Sequence, residues 1–216
     1  MQRLILSVLG FLILAPPANA RPWHDNFTDR LSVLAQIQTL NADLLSHDSA
    51  TGVLQGWCDR HGPPGTRMAV IFRPEVSKPA DEAVRRDLKA GPNDQIIYRR
   101  VDLTCGDQVL SVADNWYLPG HLTPEMNRQL AETTTPFGVV VRPLDFRRRT
   151  LLAELLYQSL PTGWEDAAPA RRWGRRDLSV PADLFWHRAT LSTPDGAAFS
   201  LVVETYRSAI LIPPLP

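Results

Sequence analysis

The chain has 216 residues, 44% of them apolar and 21% charged, which is the composition of an ordinary globular protein. Its 23 basic and 23 acidic residues balance, so bulk charge makes no case for a nucleic-acid or anionic-membrane partner. No G-x-G-x-x-G, Walker or G-x-S-x-G pattern is present, which argues against the common dinucleotide, nucleoside-triphosphate and serine-hydrolase sites.

Residues 1–20 read as a secretory signal. Arg3 supplies a positive start, Leu4–Ala15 is an apolar stretch of twelve residues, and Ala18-Asn19-Ala20 is a small-residue cleavage pattern. Twelve residues are too few for a bilayer, which needs about 20. The protein is therefore expected to be exported, periplasmic or secreted, as a single domain over residues 21–216. The alternative is an uncut N-terminal membrane anchor. No later stretch is long and apolar enough to span a membrane.

Leu31, Leu34, Ile37, Leu40, Leu44 and Leu45 recur at helical spacing, with Asn26 or Thr28 as N-cap. Asp48 or Ser49 then caps a second short helix carrying Val53, Leu54 and Trp57. Gly62-Pro63-Pro64-Gly65 is a turn, and Met68–Phe72 reads as a buried strand. Residues 74–94 read as a surface excursion with a short helical piece. Ile96–Cys105 and Val109–Leu118 flank Gly106-Asp107-Gln108 as a hairpin, and Thr123-Pro124-Glu125 opens another helix. Val139–Val141 is short and apolar. Phe146–Leu160, with leucines at 151, 152, 155 and 156, has a helical pattern, and Pro161–Val180 reads as a long loop or lid. Leu184–Leu191 and Phe199–Tyr206 flank Thr193-Pro194-Asp195-Gly196 as a second hairpin. Helices followed by hairpin-connected strands predict an α+β fold, an antiparallel β-sheet with packed helices.

The five histidines show no metal-ligand spacing and read as surface or capping residues. Arg147-Arg148-Arg149 and the arginines at 171–176 read as solvated faces. Cys58 and Cys105 could form one disulfide in an oxidising compartment. Because Cys105 closes an apolar strand, two buried free thiols are the expectation. Arg100 and Glu204 stand inside strand patterns, where a buried charge is costly unless paired or ligand-bound. Alternation puts Arg100 on one face with Tyr98 and Asp102, and Glu204 with Val202 and Tyr206. On pattern alone they could equally form an ion pair or face solvent.

The order of motifs resembles the chorismate lyase family. Asp48-Ser49-Ala50-Thr51 is similar to its D-S-x-T segment, and Tyr98–Asp107 to its R-x-x-x-L-C-x-D strand and turn. Pro119 matches a proline closing the next strand, and Thr135-Pro136-Phe137-Gly138 matches T-P-L-G. Trp186-His187-Arg188 is similar to W-x-R, and Val203-Glu204-Thr205-Tyr206 to T-E-L-F. The likeness runs from about Leu31 to Tyr206. It implies a chorismate lyase-like fold and a cofactor-independent and metal-free carbon–oxygen lyase of ubiquinone biosynthesis that splits chorismate into 4-hydroxybenzoate and pyruvate. Arg100 and Glu204 would be catalytic, and Ala50, Phe137 and Arg100 would bind substrate or product. The implied partner is a small aromatic acid, with no nucleic acid and a monomeric state. The sequence departs from the family in Ala50, which replaces methionine, in Phe137, which replaces leucine, and in a longer connection at about 146–180. Two other readings stay open: a non-catalytic, exported binding protein for a small acid on the same fold, and an envelope protein in which Arg100 and Glu204 simply pair.

Overall fold

A computed structural model of the chain describes residues 22–166 and 176–213. The signal reading of residues 1–20, and the arginines at 171–175, lie outside the described residues.

The first helix, α1 (Phe27–Ser46), starts where the Asn26 side chain accepts the Asp29 N–H at 2.8 Å. Its buried stripe of Val33, Ile37, Leu40 and Leu44 follows the helical period. After a three-residue corner, α2 (Ala50–His61) begins with the Ser49 hydroxyl accepting from Gly52 N–H. Strand β1 (Met68–Phe72) follows. The short α3 (Glu82–Leu88) is capped by Asp81 and stopped by left-handed Lys89 (φ 54°). Strands β2 (Ile97–Cys105) and β3 (Gln108–Tyr117) form the first predicted hairpin, turning at Gly106, whose φ of +56° suits glycine. Helix α4 (Pro124–Glu132) and the single turn α5 (Phe137–Val140) lead to β4 (Arg147–Leu155). Strands β5 (Asp183–Ser192) and β6 (Ala198–Arg207) form the second hairpin.

The six strands make one antiparallel sheet in the order β1-β2-β3-β6-β5-β4, so the predicted α+β class holds. The expected helix at Phe146–Leu160 is instead β4. Its leucine spacing suits a helix, but a bulge between Thr150 and Leu152 lets the strand send Leu151 to one face and Leu155 to the other.

Helices cover both faces. On the front, α1 and α2 pack on Val101, Leu103, Ala113, Ala189 and Val202. A second front cluster gathers Met126 and Leu130 of α4 and Phe137 and Val140 of α5 against Tyr117, Leu191 and Phe199. On the back, α3 places Val84 and Leu88 on Trp116 and Leu201. The two front clusters leave a gap between α2 and α5, floored by the middle of the sheet.

Cys58 and Cys105 are disulfide-bonded, with Cα atoms 5.7 Å apart, which corrects the expectation of free thiols. The bond ties α2 to β2. Alternation puts Cys105 on the front face, directly under the helix that carries Cys58. Among the described residues, no helix is long and apolar enough to cross a membrane.

Candidate functional site

The gap on the front face is a pocket enclosing about 550 Å3 of empty space, part of it open to solvent. Asp48 to Thr51 border it from the corner and first turn of α2, and Phe137 and Gly138 from α5. Phe146 and Leu191 add apolar wall, and Val101, Leu103, Ala113 and Val202 make the floor. Polarity comes from Arg99, Asn115, Arg148 and Glu204. Ala50 and Phe137, expected from the sequence to bind substrate or product, both line this pocket.

Arg100 does not. Cross-strand register puts it opposite Asp114 on the back face, where its Nη1 donates to Asp114 Oδ1 at 2.8 Å. Tyr98 and Lys78 also donate to this carboxylate. Burial, followed by the hydrogen bond to Asp114, pushes the Tyr98 hydroxyl up to about 12. Asp102 shares this face, as alternation predicts, but pairs with Arg73 at 2.6 Å. Arg100 and Glu204 are thus on opposite sides of the sheet.

The front-face arginine of β2 is Arg99. It stands opposite Asn115 and in alternation with Val101 and Leu103. It is 3% exposed, and its guanidinium lies 5.2 Å from the Phe72 ring centre. Its Nη2 donates to the carbonyls of Thr133 at 3.4 Å and Thr135 at 3.1 Å, while its buried Nε has no acceptor. Among the described residues no carboxylate pairs with it, and burial pushes its pKa down. This is an uncompensated cation in the wall of an apolar pocket.

At the other side of the pocket, Arg148 reaches in from β4 with its Nη2 2.7 Å from Glu204 Oε2. Both side chains are buried, 4% and 7% exposed. The Nε and Nη2 hydrogens of Arg148 do not point along an acceptor direction, so the contact is a close charge pair whose N–H edge is still unmet. Burial lowers the Arg148 pKa, and the Glu204 charge more than restores it, leaving a net upward shift. The Tyr206 hydroxyl donates to the same Glu204 oxygen at 3.2 Å. Behind it, His187 is fully buried, with Nε2 2.7 Å from Asn41 Oδ1, contrary to the expected surface or capping role. Burial first, then the Arg148 charge, lowers the His187 pKa from 6.5 to about 4, so the ring is neutral near pH 7.

Arg147 and Arg149 are exposed as expected of a solvated run, but Arg148 between them is not. The helical reading of 146–160 concealed it. In a strand the middle of three arginines must face opposite its neighbours. Among the described residues no group of three or more His, Cys, Asp or Glu side chains is placed to hold a metal.

A chain of this shape can take a small acid with an apolar body. Arg99 offers charge-assisted donors to a carboxylate, and the first turn of α2 adds the partial positive charge of a helix N-terminus. The Arg148–Glu204 pair presents a donor and an acceptor side by side.

No protein-family model matches the chain. Among solved structures, it is similar to PhnF from Mycobacterium smegmatis, with 16% identity, a TM-score of 0.49, and coverage of 78% of this chain and 67% of that one. The effector domain of the same protein matches with 16% identity and a TM-score of 0.47, over 74% of this chain and 89% of the domain. In sequence, the chain is 41% identical over 222 residues to the uncharacterized protein y4mC of Sinorhizobium fredii, covering 97% of this chain and 94% of that protein. The chain belongs to the same family as y4mC.

Proposed function

We propose that the protein is an exported receptor for a small aromatic carboxylic acid, held in the front-face pocket without turnover. The observation that carries this reading is Arg99, a buried guanidinium with an orphan Nε–H and no carboxylate partner among the described residues, opening into apolar walls. A ligand carboxylate supplies the missing countercharge, and the ring rests on Val101, Ala113, Val202 and Phe137. A hydroxyl at the far end of the ring would accept from Arg148 and donate to Glu204. The chorismate lyase resemblance supports the same class of ligand. The Cys58–Cys105 disulfide, of a kind sustained in oxidising compartments, supports export.

The second reading is a chorismate lyase. It is favoured by a carboxylate, Glu204, inside the pocket, where a general acid could protonate a departing group. It is disfavoured because Arg148 and Tyr206 already hold that carboxylate. Calorimetric titration with 4-hydroxybenzoate, alongside an absorbance assay for pyruvate release from chorismate, separates the two. Saturable binding without turnover is expected. Turnover abolished by Glu204→Gln would establish the lyase, and neither binding nor turnover would reject both.

A further inference from the structure

We propose that the open edge of the sheet at β4 is a homodimer interface, through which two copies pair antiparallel into one continuous twelve-stranded sheet. Strand β4 is the last in the sheet order, and its nine residues make it the longer of the two edges, against five in β1. An unpaired edge is a template for another strand. This one carries exposed apolar side chains: Leu152 is 56% exposed and, just beyond the strand, Leu156 is 47% exposed.

The choice of a second copy of this chain follows from register and charge. Pairing with β5 assigns Arg148, Thr150, Ala153 and Leu155 to the front face, and Arg149, Leu152 and Glu154 to the back. The bulge at Leu151 reverses the alternation between the two halves. A two-fold axis perpendicular to the sheet must match front with front and back with back. The self-pairing that does so sets Thr150 against Ala153 and Arg149 against Glu154, each twice, and stops short of Arg148, whose outward N–H already donates to Asp48 Oδ1 at 2.8 Å. Arg149 and Glu154 are both exposed, and neither has an ion-pair partner among the described residues. In the pair they meet as two opposite-charge cross-strand contacts, flanking the axis, where Leu152 of each copy lies opposite Leu151 of the other. Both pockets then open on the same side of the joined sheet. This replaces the monomer expected from the sequence, where β4 was read as a helix and no edge was visible.

The test is sedimentation velocity on the full mature chain across the micromolar range. The wild type is expected to be a dimer. Arg149→Glu and Glu154→Arg each set like charges opposite one another twice and are expected to raise the dimer dissociation constant about tenfold or more. An equimolar mixture of the two variants rebuilds both Arg–Glu contacts in the heterodimer and is expected to recover dimerisation. Both positions are exposed, so neither change should disturb folding, and circular dichroism checks that. A monomeric wild type, a dimer indifferent to both reversals, or a mixture that stays monomeric would each overturn the proposal.

Discussion

Arg148 Nη2 lies 2.7 Å from Glu204 Oε2, joining the edge strand of the sheet to its interior across a pocket wall. Breaking such a pair from one side leaves a buried charge alone, at a cost of about 3–5 kcal/mol. Arg148→Met is therefore expected to lower unfolding free energy by about that amount. The double change Arg148→Met with Glu204→Leu, which removes both charges, is expected to recover most of it. Urea denaturation of the four proteins measures this. Additive losses in the double variant would show that the two side chains do not depend on each other.

Arg99 and Arg100 are neighbours in sequence with opposite fates, and they predict opposite phenotypes. Arg99→Met removes an uncompensated buried cation, so the fold is expected to be unharmed or slightly stabilised. Binding of 4-hydroxybenzoate should weaken about 10- to 100-fold, the loss of one charge-assisted hydrogen bond or two. Arg100→Met leaves the pocket intact and should bind normally, while losing some stability because Asp114 keeps only Lys78 and Tyr98 as partners. Calorimetry decides between them, and the reverse pattern would return the ligand-binding role to Arg100.

The R-x-x-x-L-C-x-D pattern gives Arg100 when counted back from Cys105 and Asp107, but Arg99 when counted back from Leu103, because Thr104 is an extra residue before the cysteine. Alternation resolves the choice: 99, 101, 103 and 105 share the face that carries the core, and 98, 100 and 102 share the other. That information was present in the sequence. So were the two hairpins, whose glycine turns specify them locally, and the caps of α1 and α2. The fate of 146–155 was not legible, because leucines four apart serve a helix and a bulged strand equally. Its edge position is set by β5, whose paired residues lie thirty or more positions away in the chain. With that strand hidden, Arg148 is also hidden, and Arg100 is left as the arginine that the sequence offers to pair with Glu204 or to share a site with it.

The disulfide closes a loop between residues 47 apart in sequence, so its loss is expected to cost about 2–4 kcal/mol. Gly62 sits against it: a Cβ there would lie 2.5 Å from Cys105 Sγ and 2.7 Å from the Cys58 carbonyl oxygen. Gly62→Ala is thus expected to destabilise the oxidised protein, and to do so less in a Cys58→Ser, Cys105→Ser background where the smaller oxygen atoms leave room. Thermal melts of the variants in and out of that background measure the difference. An equal penalty in both would place the cost in the backbone and not at the sulfur.

His187 gives the protein a predictable acid sensitivity. Its folded pKa is about 4 against 6.5 for the free side chain, because the ring is buried against the stacked pair Phe185 and Tyr206 and sits near the Arg148 charge, which the Glu204 carboxylate only partly offsets. Between those two values the unfolded chain binds a proton that the folded one refuses. Stability is therefore fully present above pH 6.5 and is lost as pH falls toward 4. At about 1.36 kcal/mol per pKa unit, the loss approaches roughly 3 kcal/mol at the low end. Asp114, whose pKa is lowered despite burial by its bonds to Lys78 and Tyr98, acts in the same direction but only below its ordinary value of 3.8, so it does not confuse the window. His187→Gln keeps a donor within reach of Asn41 and cannot titrate. Its unfolding free energy, followed by urea denaturation from pH 7 to pH 4, should fall distinctly less than that of the wild type. Parallel curves would show that His187 is not the group that refuses the proton.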